Sequence, residues 1–168
     1  MIIGKNARIH SGAKIRNSKI GDNFIAGENC TVGTFGFTMA IDECGNRTRI
    51  PTLGMVYVGD DVEIGALSNI SCGSGGNTVI DDHVKIDSLV YIGHDVHLSS
   101  NVEIPAGAII GGFDELGKNV YIGINATLRN RIKIGQNAVI GMGAVVTKSV
   151  DDNTTVIGNP AKPYEKKV

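Results

Sequence analysis

The sequence predicts an all-β protein in which short strands stack into a parallel β-helix. The first observation is a period of six. Ile80, Ile86, Ile92, Leu98, Ile104, Ile110, Leu116, Ile122, Leu128, Ile134, Ile140 and Val146 are twelve consecutive aliphatic positions with no slip. The second is a companion register four residues later, running from Val84 and Val90 to Ala144 and Val150, which is small or aliphatic everywhere except Asp114. The third is glycine after the first register, at Gly93, Gly111, Gly117, Gly123, Gly135 and Gly141. A period of six would spread apolar residues right around a 3.6-residue helical turn. Read as one short strand plus one corner per hexad, the same spacing buries both registers in a continuous stacked core.

Composition agrees with this class. The 168 residues suffice for one domain with a sizeable core, and with no Trp that core is built of Ile, Val, Leu and Ala. A net charge of −1 argues against non-specific nucleic-acid binding. The charge is uneven: residues 1–117 hold 8 basic and 14 acidic side chains, a balance of −6, whereas residues 118–168 hold 8 and 3, a balance of +5. This points to an anionic ligand near the C-terminal half, the plain alternative being a solvated basic end. Cys30, Cys44 and Cys72 are odd in number and lack metal-ligand spacing, which fits a reduced, cytoplasmic protein. No apolar run approaches ~18 residues, so no membrane span is expected. The N-terminus begins directly with structure and lacks the apolar core of a signal peptide.

In chain order, Ile3, Ile9 and Ile15 are six apart, Ile20 arrives one residue early, and Ala26 and Val32 resume the spacing. The slip predicts a tightened corner. Residues 33–57, GTFGFTMAIDECGNRTRIPTLGMVY, break the pattern and form an inserted loop too long for a corner. Gly36 between Phe35 and Phe37 gives an aromatic pair on a flexible backbone, suited to covering a ligand; the alternative is that both rings pack on the solenoid's side. Hexads resume at Val58, Ile64 and Ile70. The glycine-rich SCGSGGNT at 71–78 adds four residues to the next step and is expected to bulge against the following coil. Residues 151–168 leave the repeat through turn chemistry at Asp151-Asp152-Asn153 and Gly158-Asn159-Pro160, with Thr154–Ile157 as one last strand. This tail is expected to cap the open end of the stack.

The repeat resembles that of the hexapeptide acyltransferases. The resemblance implies a left-handed β-helix, three hexads per triangular coil, and a homotrimer. Residues 33–96, with GTFGF, RIPTLGMVYVGDDVEIGALSNI and NTVIDDHVKIDSLVYIGHDV, resemble the enzymes that N-acylate nucleotide-linked glucosamine in lipid A synthesis. Residues 90–163, with VYIGHDV, GAIIGG, KNVYIGINATL, KIGQNAVIGMGAVVTKSV and IGNPAKP, resemble the acetyl-CoA-dependent acetyltransferases of nucleotide-linked amino sugars and sialic acids. Together they imply transfer of an acetyl group from acetyl-CoA to the amine of a nucleotide-linked amino sugar. The lipid A enzymes also carry a uridine-binding domain and a helical extension that these residues lack, and Ser71-Cys72-Gly73-Ser74 replaces their acidic and basic residues. The coils, the 33–57 loop and a neighbouring chain are therefore expected to grip the sugar nucleotide. Small residues at Ala126 and Ala144 and the short tail favour acetyl over a longer chain.

The candidate chemical centre is Gly93-His94-Asp95. Of His10, His83, His94 and His97, only His94 lies in the motif shared by both resemblances, has a carboxylate beside it, and sits two residues after Ile92, where a corner turns it outward toward a neighbouring chain. Acyl transfer from a thioester needs a group that takes the acceptor's proton, and imidazole suits this near neutral pH. Asp95 is expected to orient His94 and raise its basicity, as the family's acidic residue after the His does. With stacked strands ~4.8 Å apart, the residue one coil above His94 is Gly112, whose N–H is the candidate oxyanion donor. Coenzyme A is expected along the coils above, on a column continuing at Ile124, Asn130 and Met142. Lys148 and Lys162, in the family's AVVTKSV and GNPAKP motifs, would take its phosphates, with Arg129, Arg131 and Lys133 adding to the positive end. Phe35, Phe37 and His97 are placed on the acceptor side. No covalent acyl-enzyme is expected, since nothing beside Cys72 would activate it.

Three readings from other classes stay open on the sequence: an O-acetyl or longer-chain transferase, a zinc lyase of the carbonic-anhydrase type, and a non-catalytic scaffold. The zinc site would need three converging histidines. His94 and His97 occupy different parts of the hexad and are expected to diverge, so no metal is expected.

Overall fold

Each hexad folds into a two-residue strand and a corner. In Glu103–Ile104, Ile109–Ile110 and Glu115–Leu116 the first residue is exposed and the second buried, as period-two alternation requires. Three hexads close one coil, so parallel partners are eighteen apart: Ile92 pairs with Ile110 and Ile110 with Leu128. The structure, a computed structural model, describes residues 1–164. Over these residues the coils stack into three sheets of seven, nine and seven strands, parallel throughout except for the last strand of the second. Each coil adds one strand to each sheet in turn, which makes a three-sided prism. No helix is present among the described residues, and hence none long and apolar enough to cross a membrane.

Both apolar registers point inward and form a single core from Ile20 to Val156. Burying each Ile, Leu or Val side chain contributes roughly 1.5–3 kcal/mol, and like residues lie directly on like along the axis. Asp114 is also inside and fully buried. The corners need one residue per hexad in the left-handed conformation. On one edge this is Asn101, Asn119, Asn137 and Asn153, at φ between 56 and 62°. Asparagine tolerates that conformation better than most L-residues. Their amides form a ladder, Asn101 to Asn119 at 3.2 Å, Asn119 to Asn137 at 2.9 Å and Asn137 to Asn153 at 3.0 Å.

The early slip is a tightened corner, as expected. Ile3 pairs with Ile20, Ile9 with Ala26 and Ile15 with Val32, so the first coil is one residue short of the later ones. The 33–57 insert contains an antiparallel hairpin, Met39–Ile41 with Arg47–Arg49. Its turn is held by Asp42 Oδ1, which accepts the N–H groups of Cys44 and Asn46 at 2.9 and 2.8 Å. At the other end Thr155–Ile157 forms the expected last strand on Val139–Ile140, and Lys162–Pro163 folds back antiparallel on it, covering the open edge of that sheet. The final four residues of the expected cap lie outside the described residues.

Candidate active site

Both interruptions of the repeat fall on one edge of the prism, where the third sheet hands over to the first. The 33–57 insert leaves after Thr31–Thr34 and returns at Val56–Val58; the 71–78 bulge leaves after Asn69–Ser71 and returns at Thr78–Ile80. The next corner on that edge, between Tyr91–Ile92 and His97–Leu98, carries His94 and Asp95. Two irregular segments are thus stacked directly under the one histidine that the sequence singles out.

His94 Nδ1 lies 2.8 Å from Asp95 Oδ2. Asp95 is wrapped by the 71–78 bulge: Oδ2 accepts the Ser74 N–H at 2.8 Å, and Oδ1 those of Gly76 and Gly75 at 2.7 and 3.3 Å. Burial by itself would raise the Asp95 pKa, but the Ser74 N–H, the His94 imidazole and the Gly76 and Gly75 N–H groups outweigh it and hold the carboxyl below its ordinary value. An ionised carboxylate only accepts, so Nδ1 carries the ring proton and the Nε2 lone pair of neutral His94 faces away from Asp95. Nε2 is 3.3 Å from Thr38 Oγ1, which is itself 2.9 Å from Ser74 Oγ.

His94 does not stand open toward a neighbour, as its place in the hexad predicts. Its side chain is 13 % exposed. The insert covers it: at Gly36 a Cβ would stand 2.7 Å from Ser74 Oγ and 2.9 Å from His94 Cβ, so only glycine lets the backbone pass this close. On the other side Phe113 meets the imidazole edge-to-face at 5.0 Å, and the Arg131 guanidinium lies 4.0 Å from the Phe113 ring centre. Asp95, Phe113 and Arg131 are the left-handed corner residues of three successive coils, at φ 59, 64 and 65°. A carboxylate, an aromatic ring and a guanidinium in that conformation cost about 1–3 kcal/mol each, and all three bear on His94 or on each other.

Gly112 is one coil above His94, as the eighteen-residue arithmetic requires, with the Phe113 N–H donating to the His94 carbonyl at 2.9 Å. A Cβ on Gly112 would stand 3.0 Å from both Cε1 and Nε2 of His94. Asn130 follows one coil further, where the Arg131 N–H donates to the Gly112 carbonyl at 3.0 Å. Lys148 stands on the same edge in the next corner, which is two residues shorter, since Leu128 pairs with Val146 but Ile134 with Val150. Ile124 and Met142 do not belong to it. They share a second edge, between the second and third sheets, where the Gly143 N–H donates to the Ile124 carbonyl; both are exposed. A residue twelve beyond Gly112 has advanced two corners, not a full coil, and the expected single column therefore splits. Lys162 lies at the end of the second sheet, paired with Ile157. Ala126 and Ala144 are fully buried in the core and cannot select acyl length.

The acceptor-side residues also divide. Phe35 and Phe37 are 51 % and 68 % exposed, with the Arg16 and Arg49 guanidiniums 4.6 and 5.3 Å from their ring centres. Phe35 thus leans on Arg16 at the side of the first coil, and Phe37 on Arg49 within the insert itself. His97 lies on the adjoining flat face, exposed and 3.1 Å from Asp81 Oδ2, and the structure does not join it to His94. His83 pairs with Asp61 and His10 with Glu28, both on the surface. Among the described residues no three His, Cys, Asp or Glu side chains gather to hold a metal. Cys72 is buried, its thiol pushed up by burial and 3.1 Å from the Thr34 carbonyl, which leaves it a poor nucleophile. Thr38, Ser74, Phe113 and Thr78, whose Oγ1 accepts the Asp95 N–H at 3.0 Å, are not found by sequence reasoning. Phe113 was within reach of the coil arithmetic, one coil above Asp95; Thr38 sits in an insert with no periodicity to index it.

Comparison with known proteins agrees with the fold. Residues 115–148 match the family model described as bacterial transferase hexapeptide (six repeats). Over 147 residues the chain is 48 % identical to UDP-3-O-acylglucosamine N-acyltransferase 2 of Legionella pneumophila, covering 88 % of this chain and 43 % of that protein. It is 41 % identical over 95 residues to UDP-3-O-acylglucosamine N-acyltransferase of Coxiella burnetii, covering 56 % and 28 %. The chain thus spans less than half the length of these curated relatives. Among solved structures, a UDP-N-acetylglucosamine acyltransferase from Campylobacter jejuni superposes with a TM-score of 0.84 at 24 % identity, covering 96 % of this chain and 62 % of that one. The acetyltransferase domain of PglB from Neisseria gonorrhoeae, solved with acetyl coenzyme A, gives 0.55 at 24 % identity, covering 94 % and 57 %. These likenesses establish the left-handed β-helix.

Proposed function

From the match of residues 115–148 to the hexapeptide transferase model and the 48 % identity to an acylglucosamine N-acyltransferase, we propose that the chain transfers an acyl group from a pantetheine thioester to the amine of a UDP-linked amino sugar, with His94 as general base. The observation that carries this reading is the Asp95–His94 pair, whose Nε2 lies 3.3 Å from the Thr38 hydroxyl and beside Gly112, where an added Cβ would stand 3.0 Å away. The names of the relatives support the UDP-linked amino sugar.

In the proposed reaction the acceptor nitrogen takes the place of the Thr38 hydroxyl at Nε2. As it attacks the thioester carbonyl, its proton passes to His94. The Gly112 N–H, which donates no backbone hydrogen bond among the described residues, receives the oxyanion. Collapse expels the thiolate, His94 returns the proton to it, and the products are the amide and the free thiol. Such a donor is typically worth ~10²–10³-fold and the base ~10²–10⁴-fold.

Acetyl-CoA is the proposed donor, running up the edge past Asn130 to Lys148, with Lys162 supplied across a subunit boundary. The acetyl coenzyme A complex of the Neisseria domain supports it. A longer acyl thioester is the second reading, favoured by the 48 % identity to an acylglucosamine N-acyltransferase. The nucleotide is assigned to the insert, uracil against Phe37 or Phe35 and diphosphate on Arg49 and Arg16. A cytoplasmic setting, where acetyl-CoA is made and thiols stay reduced, fits the three free cysteines. Incubating the protein with UDP-linked amino sugars and either acetyl-CoA or longer acyl thioesters, and following thiol release, tests the assignment. Release is expected only with sugars bearing a free amine; equal release with sugars bearing hydroxyls alone would contradict it.

The active assembly is proposed to be a homotrimer. Ile124 and Met142 lie on a different edge from His94, so only a second copy brings them beside it. Light scattering is expected to give the trimer mass, with activity lost on dissociation; a stable, active monomer would overturn this. Asp95→Asn is expected to lower kcat by about 10-fold less than His94→Ala does, and to move the acid limb of the pH–rate profile to lower pH, because the anion that favours imidazolium is gone. An unchanged profile would remove Asp95 from the mechanism.

A further inference from the structure

Asp114 is the one break in the inner register, and the proposed mechanism does not use it. It is 0 % exposed, in the column where the coils below and above place Val96 and Ile132. Its Oδ1 accepts the Ile132 N–H at 3.0 Å, while Oδ2 has no partner. Burial pushes its pKa up to about 7, although the N–H groups of Ile132, Gly111 and Arg131 favour the charged form. The charged side chains on the coils around it, Asp95, Glu115, Arg131 and Lys133, are turned to the outside of the prism, with His94 at the edge. A buried carboxyl with an unpartnered oxygen costs stability that valine at this register would not. The fold alone gives no reason for it.

Its placement does. Asp114 follows Phe113 directly, at the end of the Gly111-Gly112-Phe113 corner, and the Ile132 N–H that its carboxyl accepts ends the corner above, which carries Asn130 and Arg131. We propose that Asp114 is a positioning residue: from inside the core it ties these two corners together and so fixes where the Gly112 N–H stands over His94. The Gly111-Gly112 pair has no side chains to fix its own conformation, and the following Phe113 is held in the left-handed region at φ 64°. A carboxyl reaching both corners supplies the restraint that side-chain packing cannot. The catalytic consequence rests on the reading of Gly112 as oxyanion donor; the structural tie does not.

Two variants test it, Asp114→Val and Asp114→Asn. The folded pKa lies above the ordinary 3.8, so the contribution of Asp114 to stability is highest below about 3.8 and falls as pH rises from there through about 7. Both variants are expected to lose that fall, and Asp114→Val to melt higher than wild type at pH 8. With the same Asp114→Val protein, kcat is expected to drop about 10-fold or more while the thioester KM stays within about 2-fold, as for a displaced donor. Asp114→Asn, which keeps the acceptor for Ile132, is expected to restore most of kcat. Amide NMR in a His94→Ala background, which removes the neighbouring imidazole, separates the tie from the chemistry: the Gly111, Gly112 and Phe113 signals are expected to shift with pH around 7, and those of the same background carrying Asp114→Asn to stay still. Static signals with Asp114 present, or an Asp114→Val protein with full kcat, would overturn the proposal. Moving signals, with no acyltransferase activity in the wild-type protein, would leave the tie standing and sink the assigned reaction instead. Should Asp114→Val not fold, the NMR comparison decides alone.

Discussion

His94→Ala is expected to cut turnover by roughly 10²–10⁴-fold, the usual worth of a positioned general base, while leaving acetyl-CoA affinity nearly intact. The proposed donor contacts, at Asn130, Lys148 and Lys162, are made by other coils and other edges, so the loss should appear in kcat and not in the donor KM. Removing the ring also frees the Thr38 hydroxyl and one edge of Phe113, but neither belongs to the hydrophobic core. Melting temperature should change little. His83→Ala and Cys72→Ala serve as controls and should retain most activity, since His83 is a surface residue paired to Asp61 and the Cys72 thiol is buried against the Thr34 carbonyl. Near-normal turnover in His94→Ala would remove the base from the account.

Gly112→Ala is the second large effect, expected at about 10²-fold in kcat. The added methyl would stand 3.0 Å from Nε2 and Cε1 of His94. That is tighter than ordinary van der Waals contact, and the ring cannot retreat freely. Asp95 holds Nδ1 at 2.8 Å, and Phe113 backs the imidazole at 5.0 Å. Either the base turns off its line or the Gly112 N–H moves away from the oxyanion, and a misplacement of about 1 Å can cost about 10²-fold. The methyl projects at the edge and not into the core, so stability should be nearly preserved. A stable Gly112→Ala protein with unchanged kcat would show that neither the ring nor the N–H works from the position assigned to it.

The regular part of the fold was legible in the sequence as far as Val146, because its cause is periodic; Val150, counted in the second register, stands over Ile134 of the first, where the last corner is two residues short. Ile92, Ile110 and Leu128 stack because each is the inward residue of its hexad, and the same counting placed Gly112 over His94. The count also ran ahead of itself. Ile124 and Met142 are in the same hexad phase as Gly112, but phase fixes only the position within a corner, whereas the edge needs a multiple of eighteen. What surrounds His94 was the least legible. The Thr38 hydroxyl and the close pass of Gly36 come from an aperiodic insert, and their partners are set by tertiary contact alone. The 71–78 bulge was expected to press on the next coil. That its three N–H groups would converge on Asp95 needed the backbone itself.

The central claim is direct transfer of an acyl group to a sugar amine at His94. A rapid-quench single turnover with acyl-labelled thioester and a UDP-linked amino sugar, read by mass spectrometry of both protein and sugar, tests it most directly. The account predicts that the label appears on the sugar nitrogen in step with thiol release, that the protein's mass never changes, and that His94→Ala slows the whole process together. Label found on Cys72 before it reaches the sugar, or on a sugar hydroxyl in place of the amine, would contradict it.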